Sequence, residues 1–190
     1  MASPKTIIFA DGENLVMRYQ AMIAAGAKPH KKIHHIPDSF VWHPDITTWS
    51  CFELIRVWYY TSVIGDINKI QDIENQIGNI DYDYHYDPDS TIPKATAQIV
   101  PRVYKKSSKS QKTRNVDINI IIDVMRHSYS RDIDLIYILS GDGDYLPLIN
   151  EAMKQGKRVF VSAFSSGLNK QLSYSVDTFT LLDELFFKNT

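Results

Sequence analysis

Residues 134–145 read Asp-Leu-Ile-Tyr-Ile-Leu-Ser-Gly-Asp-Gly-Asp-Tyr, and this stretch decides the fold. The apolar run over 134–139 is too short for a helix and predicts a strand buried on both faces. It stops at Ser140-Gly141-Asp142-Gly143-Asp144, where the glycines let the backbone turn sharply and leave room for a ligand near the chain. Strands of this kind belong to parallel sheets covered by helices, in which functional groups gather beyond the C-terminal strand ends.

The same reading extends outward in both directions. Residues 5–10 (Lys-Thr-Ile-Ile-Phe-Ala) predict a strand meeting a turn at Asp11-Gly12, and 13–25 a helix carrying Leu15, Met17 and Met22. Residues 26–51 hold three Pro, four His and two Trp without sustained periodicity, and read as a long loop or insertion. A strand over 52–61 follows, then a helix over 66–78 with apolar residues at 67, 70, 73 and 77. Strand material is expected around 97–104, with room for an extra hairpin before it. A helix over 116–129 leads into the strand at 134–139. A helix over 145–155 ends at Gly156, where a C-terminal cap belongs. A strand over 157–162, a short helix over 167–174 and a strand over 178–182 complete the pattern. No internal repeat is present. Alternating strands and helices predict one α/β domain over 1–190 with a mostly parallel sheet covered on both faces.

Composition sets the bounds. With 190 residues, 44% hydrophobic and 23% charged, the chain suits one soluble domain and would be cramped as two. A formal net charge of −1 excludes a uniformly basic nucleic-acid coat, though not a local basic patch. Cys51 is the one cysteine, which excludes an intrachain disulfide and a thiolate zinc site and fits a reducing cytosol. No signal-peptide core and no apolar run of roughly 18 residues is found, so a cytoplasmic location without a membrane partner is expected.

Two strands end in acid-rich turns: Asp11-Gly12-Glu13-Asn14, and the turn containing Asp142 and Asp144. Asn14 lies one helical turn after Asp11 and can face the same pocket. Asp117 opens the 116–129 helix and joins them if that helix starts beside the pocket. Singly, each Asp also fits a helix cap or a turn; two such strand ends together argue for a shared site. Converging carboxylates repel by about 4 kcal/mol per pair at 4 Å and an effective dielectric of 20. Such a cluster needs protonation or a cation. Carboxylate and amide oxygens select a hard ion, Mg²⁺ or Mn²⁺, which can activate water and neutralise phosphate charge. The chemistry suggested is phosphodiester hydrolysis.

Between 102 and 114 lie Arg102, Lys105, Lys106, Lys109, Lys112 and Arg114 with no acid among them, and Tyr104 is interleaved. This strip suits a nucleic-acid backbone, with Tyr104 available for stacking, although a solvated loop has the same look. His30, His34, His35 and His43 lack the spacing of a zinc site and read as part of a solvated loop. The alternation from Asp81 to Asp87 suits a half-buried strand. Asp123 lies roughly 120° around the helix from Asp117 and suits a supporting ion pair; Asp177 suits a strand entry. A phosphate loop, a dinucleotide fingerprint, a nucleophile elbow and a calcium loop are all missing.

These residues carry a resemblance. Phe9-Ala10-Asp11-Gly12-Glu13-Asn14-Leu15, Asn115-Val116-Asp117-Ile118, Leu139-Ser140-Gly141-Asp142-Gly143-Asp144-Tyr145 and Gly156-Lys157-Arg158-Val159 are similar to the NYN domain, the group that includes the LabA-like proteins within the PIN-like nuclease superfamily. The resemblance implies a Rossmann-like three-layer α/β/α sandwich that cleaves RNA with Mg²⁺ or Mn²⁺. By position it implies an acidic set of Asp11, Asp117, Asp142 and Asp144, supported by Asn14 and Ser140. The metal ligands would be Asp11, Asp117 and Asp142. Arg114-Asn115 stands where the family often has Lys-Gly, a departure that touches substrate recognition.

The leading expectation is a metal-dependent endoribonuclease acting on RNA, single-stranded most of all, with Arg102, Tyr104, Lys105, Lys106, Lys109, Lys112 and Arg114 along the substrate. A non-catalytic RNA-binding or regulatory module is the alternative, and a phosphatase or nucleotide hydrolase using the same carboxylates on small substrates is a third. Homo-oligomerisation, RNA target and pathway stay open.

Overall fold

The computed structural model describes residues 3–49, 53–84, 95–108 and 114–188. Strand β1 (Lys5–Asp11) runs straight into helix α1 (Gly12–Ala24). Asp11 caps that helix, its side chain accepting the amide of Asn14 and satisfying one of the first-turn donors that a helix leaves unpaired. A small hairpin follows, β2 (His34–Ile36) and β3 (Phe40–Trp42), then a 3-10 turn over Pro44–Thr47. Strand β4 (Glu53–Ile64) leads to helix α2 (Ile67–Gly78), capped by Asp66. A second hairpin, β5 (Asp81–Tyr84) with β6 (Ala95–Gln98), precedes β7 (Val100–Lys106). The rest is helix α3 (Arg114–Ser128), β8 (Leu135–Leu139), helix α4 (Leu146–Lys154), β9 (Arg158–Ala163), β10 (Thr178–Leu181) and a last helical turn α5 (Asp183–Phe186).

The six main strands form one wholly parallel sheet in the order β10-β9-β8-β1-β4-β7. Both antiparallel hairpins lie outside it as separate two-stranded sheets. Two hydrophobic layers cover its faces. Ile8, Ala10, Tyr137 and Leu139 pack with Leu15, Val16 and Tyr19 of α1 and Ile73 and Ile77 of α2. On the other face Ile7, Phe9, Ile136 and Ile138 pack with Val116, Ile120 and Val124 of α3 and Leu148, Ile149 and Ala152 of α4. Each aliphatic side chain fully buried this way contributes about 1.5–3 kcal/mol. A bulge shifts the β1–β4 register between Thr6 and Ile7. Leu54 and Val57 therefore face the same layer, although an unbroken alternation would separate them.

Residues 26–49, the described part of the stretch 26–51, depart from the reading of a long loop. Phe40, Val41, Trp42 and Ile46 have no exposed surface, and they extend the core beside α1 and β4. His43, expected in a solvated loop, is buried; its Nδ1 accepts the Asp45 amide, and burial holds its pKa below the ordinary value. A three-residue strand buried on every side shows neither helical nor alternating periodicity, which is why this part of the core was hidden. The helix expected over 167–174 is a 3-10 turn over Lys170–Tyr174, and α5 was not anticipated.

Candidate active site at the switch point of the sheet

From β1 the chain winds outward through β4 to β7, then returns across the sheet to β8 and winds the other way through β9 to β10. The crossovers after β1 and β8 therefore lie on opposite faces: α1 packs on one layer and α4 on the other. Neighbouring strands that diverge in this way leave a crevice beyond their C-terminal ends, where ligands bind in open α/β sheets. Asp11 ends β1, and the turn with Asp142 follows β8. A cleft of about 1070 Å³ opens there, and Asp11, Glu13, Asn14, Asp117, Gly141 and Asp142 are among its lining residues.

Side-chain bonds tie these elements into one unit. Asp11 Oδ2 accepts the Ser140 hydroxyl at 3.0 Å. Asn14 Oδ1 accepts the Gly141 amide at 3.1 Å. The Ser140 oxygen in turn accepts the Asp142 amide at 3.2 Å, and Asp142 Oδ1 accepts the Asp144 amide at 3.0 Å. Gly12 lets the first turn of α1 sit against β4: a Cβ there would lie 2.3 Å from the Tyr59 ring and 2.6 Å from the Tyr60 carbonyl.

Tyr145 closes the motif that carries the resemblance, but the sequence assigned it no role. Its hydroxyl lies 3.3 Å from Asp11 Oδ2 and 3.3 Å from Asp117 Oδ1. The two carboxylate oxygens can be no farther apart than those two bonds laid end to end, so α3 does deliver Asp117 to the β1 terminus. Burial, then the charges of Asp11, Asp117 and Asp142, push the phenol far above its ordinary range and keep it a neutral donor. Asp11 itself is buried at 3% exposure. Burial raises its pKa most, the Asn14 amide and Ser140 hydroxyl pull it back, and the charges of Asp117 and Glu13 raise it again, to about 7.

Glu13 is the second addition. It accepts the Ser62 hydroxyl and pairs with Lys106 Nζ at 3.2 Å, within the same cleft. The sequence showed Glu13 inside the first acidic turn, but nothing there revealed its partners from β4 and β7.

The other expected site residues scatter. Asp144 is exposed and absent from the cleft lining. The basic strip does not stay together: Lys106 enters the cleft, whereas the Arg102 guanidinium lies 4.4 Å from the centre of the Trp58 ring. Tyr104 is partly buried against the α3 layer instead of presenting a free face. Lys105 and Arg114 are exposed, and Lys109 and Lys112 lie outside the described residues. Asp123 supports the core as expected, accepting the Tyr60 hydroxyl at 2.8 Å and pairing with Arg126 at 2.7 Å. Asp177 joins β10 to β9, accepting the Val159 amide at 2.7 Å.

Among the described residues, no three His, Cys, Asp or Glu side chains come close enough to cage an ion unaided. The donor chemistry nevertheless fits Mg²⁺ or Mn²⁺. Mg²⁺ usually keeps several waters and takes one or two carboxylates together with substrate phosphate oxygens. Asp11 and Asp117 meeting at one hydroxyl, with Asp142 on the same cleft, are an all-oxygen set of that kind. No helix among the described residues is long and apolar enough to cross a membrane.

Comparison with known proteins bears on the fold and the family. A protein of unknown function from Vibrio parahaemolyticus, solved by crystallography, superposes with a TM-score of 0.60 over 98% of this chain and 97% of its own, at 17% identity. That likeness is one of fold. An uncharacterized protein from Methanocaldococcus jannaschii is 23% identical over 121 residues, which is 64% of this chain; the match spans about half (49%) of that relative's length. The model of the NYN domain matches residues 5–183, from the first residue of β1 to the first of α5. The chain thus belongs to the NYN domain family and, through it, to the PIN-like nuclease superfamily.

Proposed function

We propose that this protein is a divalent-metal-dependent ribonuclease that hydrolyses RNA phosphodiester bonds at the crevice between β1 and β8. The observation that carries the reading is the meeting of Asp11 and Asp117 at the Tyr145 hydroxyl, with Asp11 buried and held near neutrality. Carboxylates gathered at such cost are the signature of a site built for a cation. Asp11, Asp117 and Asp142 would hold Mg²⁺ or Mn²⁺, which when bound would neutralise phosphate charge and lower the pKa of a water.

The chain's own residues do the positioning. Ser140 and the Asn14 amide fix the Asp11 carboxylate from two sides. Asn14 also fixes the turn that carries Asp142. Tyr145, one proton between two acids, holds Asp11 and Asp117 at a set separation while the ion is away. Lys106 offsets Glu13, so that acid does not add its full charge to the pocket.

The test uses purified protein with labelled single-stranded RNA, in Mn²⁺ or in chelator, beside Asp11→Asn and Asp142→Asn. Cleavage that needs Mn²⁺ and disappears in both variants, with folding intact, is the expected result. Undiminished cleavage by both variants overturns the assignment. RNA binding without turnover in any divalent metal would put the non-catalytic module in its place.

A further inference from the structure

Resting on that reading, we infer that Arg18 grips the RNA chain one phosphate away from the one held at the acidic pocket. The cleft extends from the carboxylates along α1, and Asn14, Met17 and Arg18 line it in turn. Arg18 lies four residues after Asn14, on the same side of the helix and about 6 Å farther along its axis. The site is therefore a track and not a single-phosphate pocket.

The guanidinium is held in place by backbone. It packs on Gly167, where a Cβ would lie 2.0 Å from Arg18 Cζ and 2.4 Å from Nε, at a φ of +68° that favours glycine. The Gly167 turn is anchored to the acidic pocket, since the Asn169 amide donates to the Gly141 carbonyl at 3.0 Å. Arg18 is thus fixed relative to Asp142 through three short links.

Its charge is uncompensated. Lys69 pairs with Asp72 at 3.7 Å and Lys106 with Glu13 at 3.2 Å, but Arg18 makes no ion pair with a described carboxylate. Its Nε is buried and has no hydrogen-bond partner. Leaving a buried donor unpaired is costly, and a planar guanidinium matches a phosphate with two parallel bonds. The Gly167 turn covers Nε, so it is the outer edge of the guanidinium that a ligand can reach, and in a cleft lined by acids that ligand must bring its own anion. A polynucleotide whose scissile phosphate sits at the carboxylates does so with its next phosphate.

The experiment measures binding of a labelled single-stranded oligoribonucleotide in chelator across a salt series, and cleavage in Mn²⁺, for wild type, Arg18→Ala and Arg18→Lys. Urea midpoints verify folding. Arg18→Ala is expected to weaken binding about tenfold, and to reduce the slope of log affinity against log salt by about 0.7, one phosphate contact on a single strand. In cleavage, the larger part of its loss falls on KM. Arg18→Lys restores the slope while recovering only part of the affinity, because a point charge replaces a two-bond fork. Wild-type affinity and slope in Arg18→Ala would overturn the inference while leaving the hydrolytic site untouched. A wild type that binds RNA and shows this dependence without cutting it overturns hydrolysis and keeps the Arg18 contact; one that does neither overturns both.

Discussion

Tyr145 places its hydroxyl 3.3 Å from Asp11, and the same oxygen stands 3.3 Å from Asp117. One proton thus moderates the repulsion of two acids brought from β1 and α3. Replacing Tyr145 with Phe removes that proton and leaves the ring. The metal-free protein should lose about 1–3 kcal/mol, the worth of a buried hydrogen bond to a charged group. Urea unfolding with and without Mn²⁺ measures it, and the ion should recover more stability in the variant than in wild type. Equal recovery would mean that the hydroxyl does not separate the acids.

Asp11 also sets a pH dependence. Its pKa is about 7 in the folded chain against an ordinary 3.8. Between those values the folded state keeps a proton that the unfolded state has released. Metal-free stability should therefore fall as pH climbs from about 4 to 7 and level off above; below 3.8 both states hold the proton and nothing is contributed. Asp11→Asn should flatten that part of the profile. Affinity for Mn²⁺ should rise through the same window, because the ion displaces the proton. Urea midpoints and metal titrations from pH 4 to 8 read both, and a wild-type profile identical to that of Asp11→Asn would remove Asp11 as the cause.

Lys106 is held at 3.2 Å by Glu13 in a half-enclosed position. Truncation to Ala leaves Glu13 uncompensated one residue from Gly12 and two from Asp11. The metal-binding midpoint of the pH titration should move upward, and Glu13→Gln in the same chain should bring it back. A midpoint unmoved by Lys106→Ala would show that this ion pair is electrically remote from the pocket.

Asp144 and Gly12 give contrasting controls. Asp144 is exposed and outside the cleft lining, so Asp144→Asn should change cleavage no more than a few fold where Asp11→Asn is expected to abolish it. Gly12→Ala sets a methyl group 2.3 Å from the Tyr59 ring and 2.6 Å from the Tyr60 carbonyl. Overpacking of that kind costs about 1–3 kcal/mol, and calorimetry should show a lower Tm.

The strands that carry the pocket were legible because they are short, wholly apolar and end in acids. Residues 5–10 and 134–139 gave the parallel sheet, and the turns after them gave Asp11 and Asp142. Asp117 was legible only as the opening of a helix; its arrival beside Asp11 depends on how α3 crosses the sheet. Tyr145 was hidden because a Tyr after a buried strand reads as core, and its ring is core; only its oxygen serves the site. Arg18 drew no notice in the sequence, since Gly167, on which it packs, lies 149 positions away in the chain. Within the strip over 102–114, closeness along the chain did not reveal that β7 carries Arg102 to Trp58 and Lys106 to Glu13.

The bond between Ser140 and Asp11 spans 129 positions. A polypeptide made from its N-terminus presents Asp11 before the Ser140 hydroxyl, the amide of Gly141 or the phenol of Tyr145 that complete its surroundings. Contacts of such long range form late and slowly. Until the segment from Ser140 to Tyr145 has been made, the carboxyl group of Asp11 therefore lacks both hydroxyls that bond it in the finished fold.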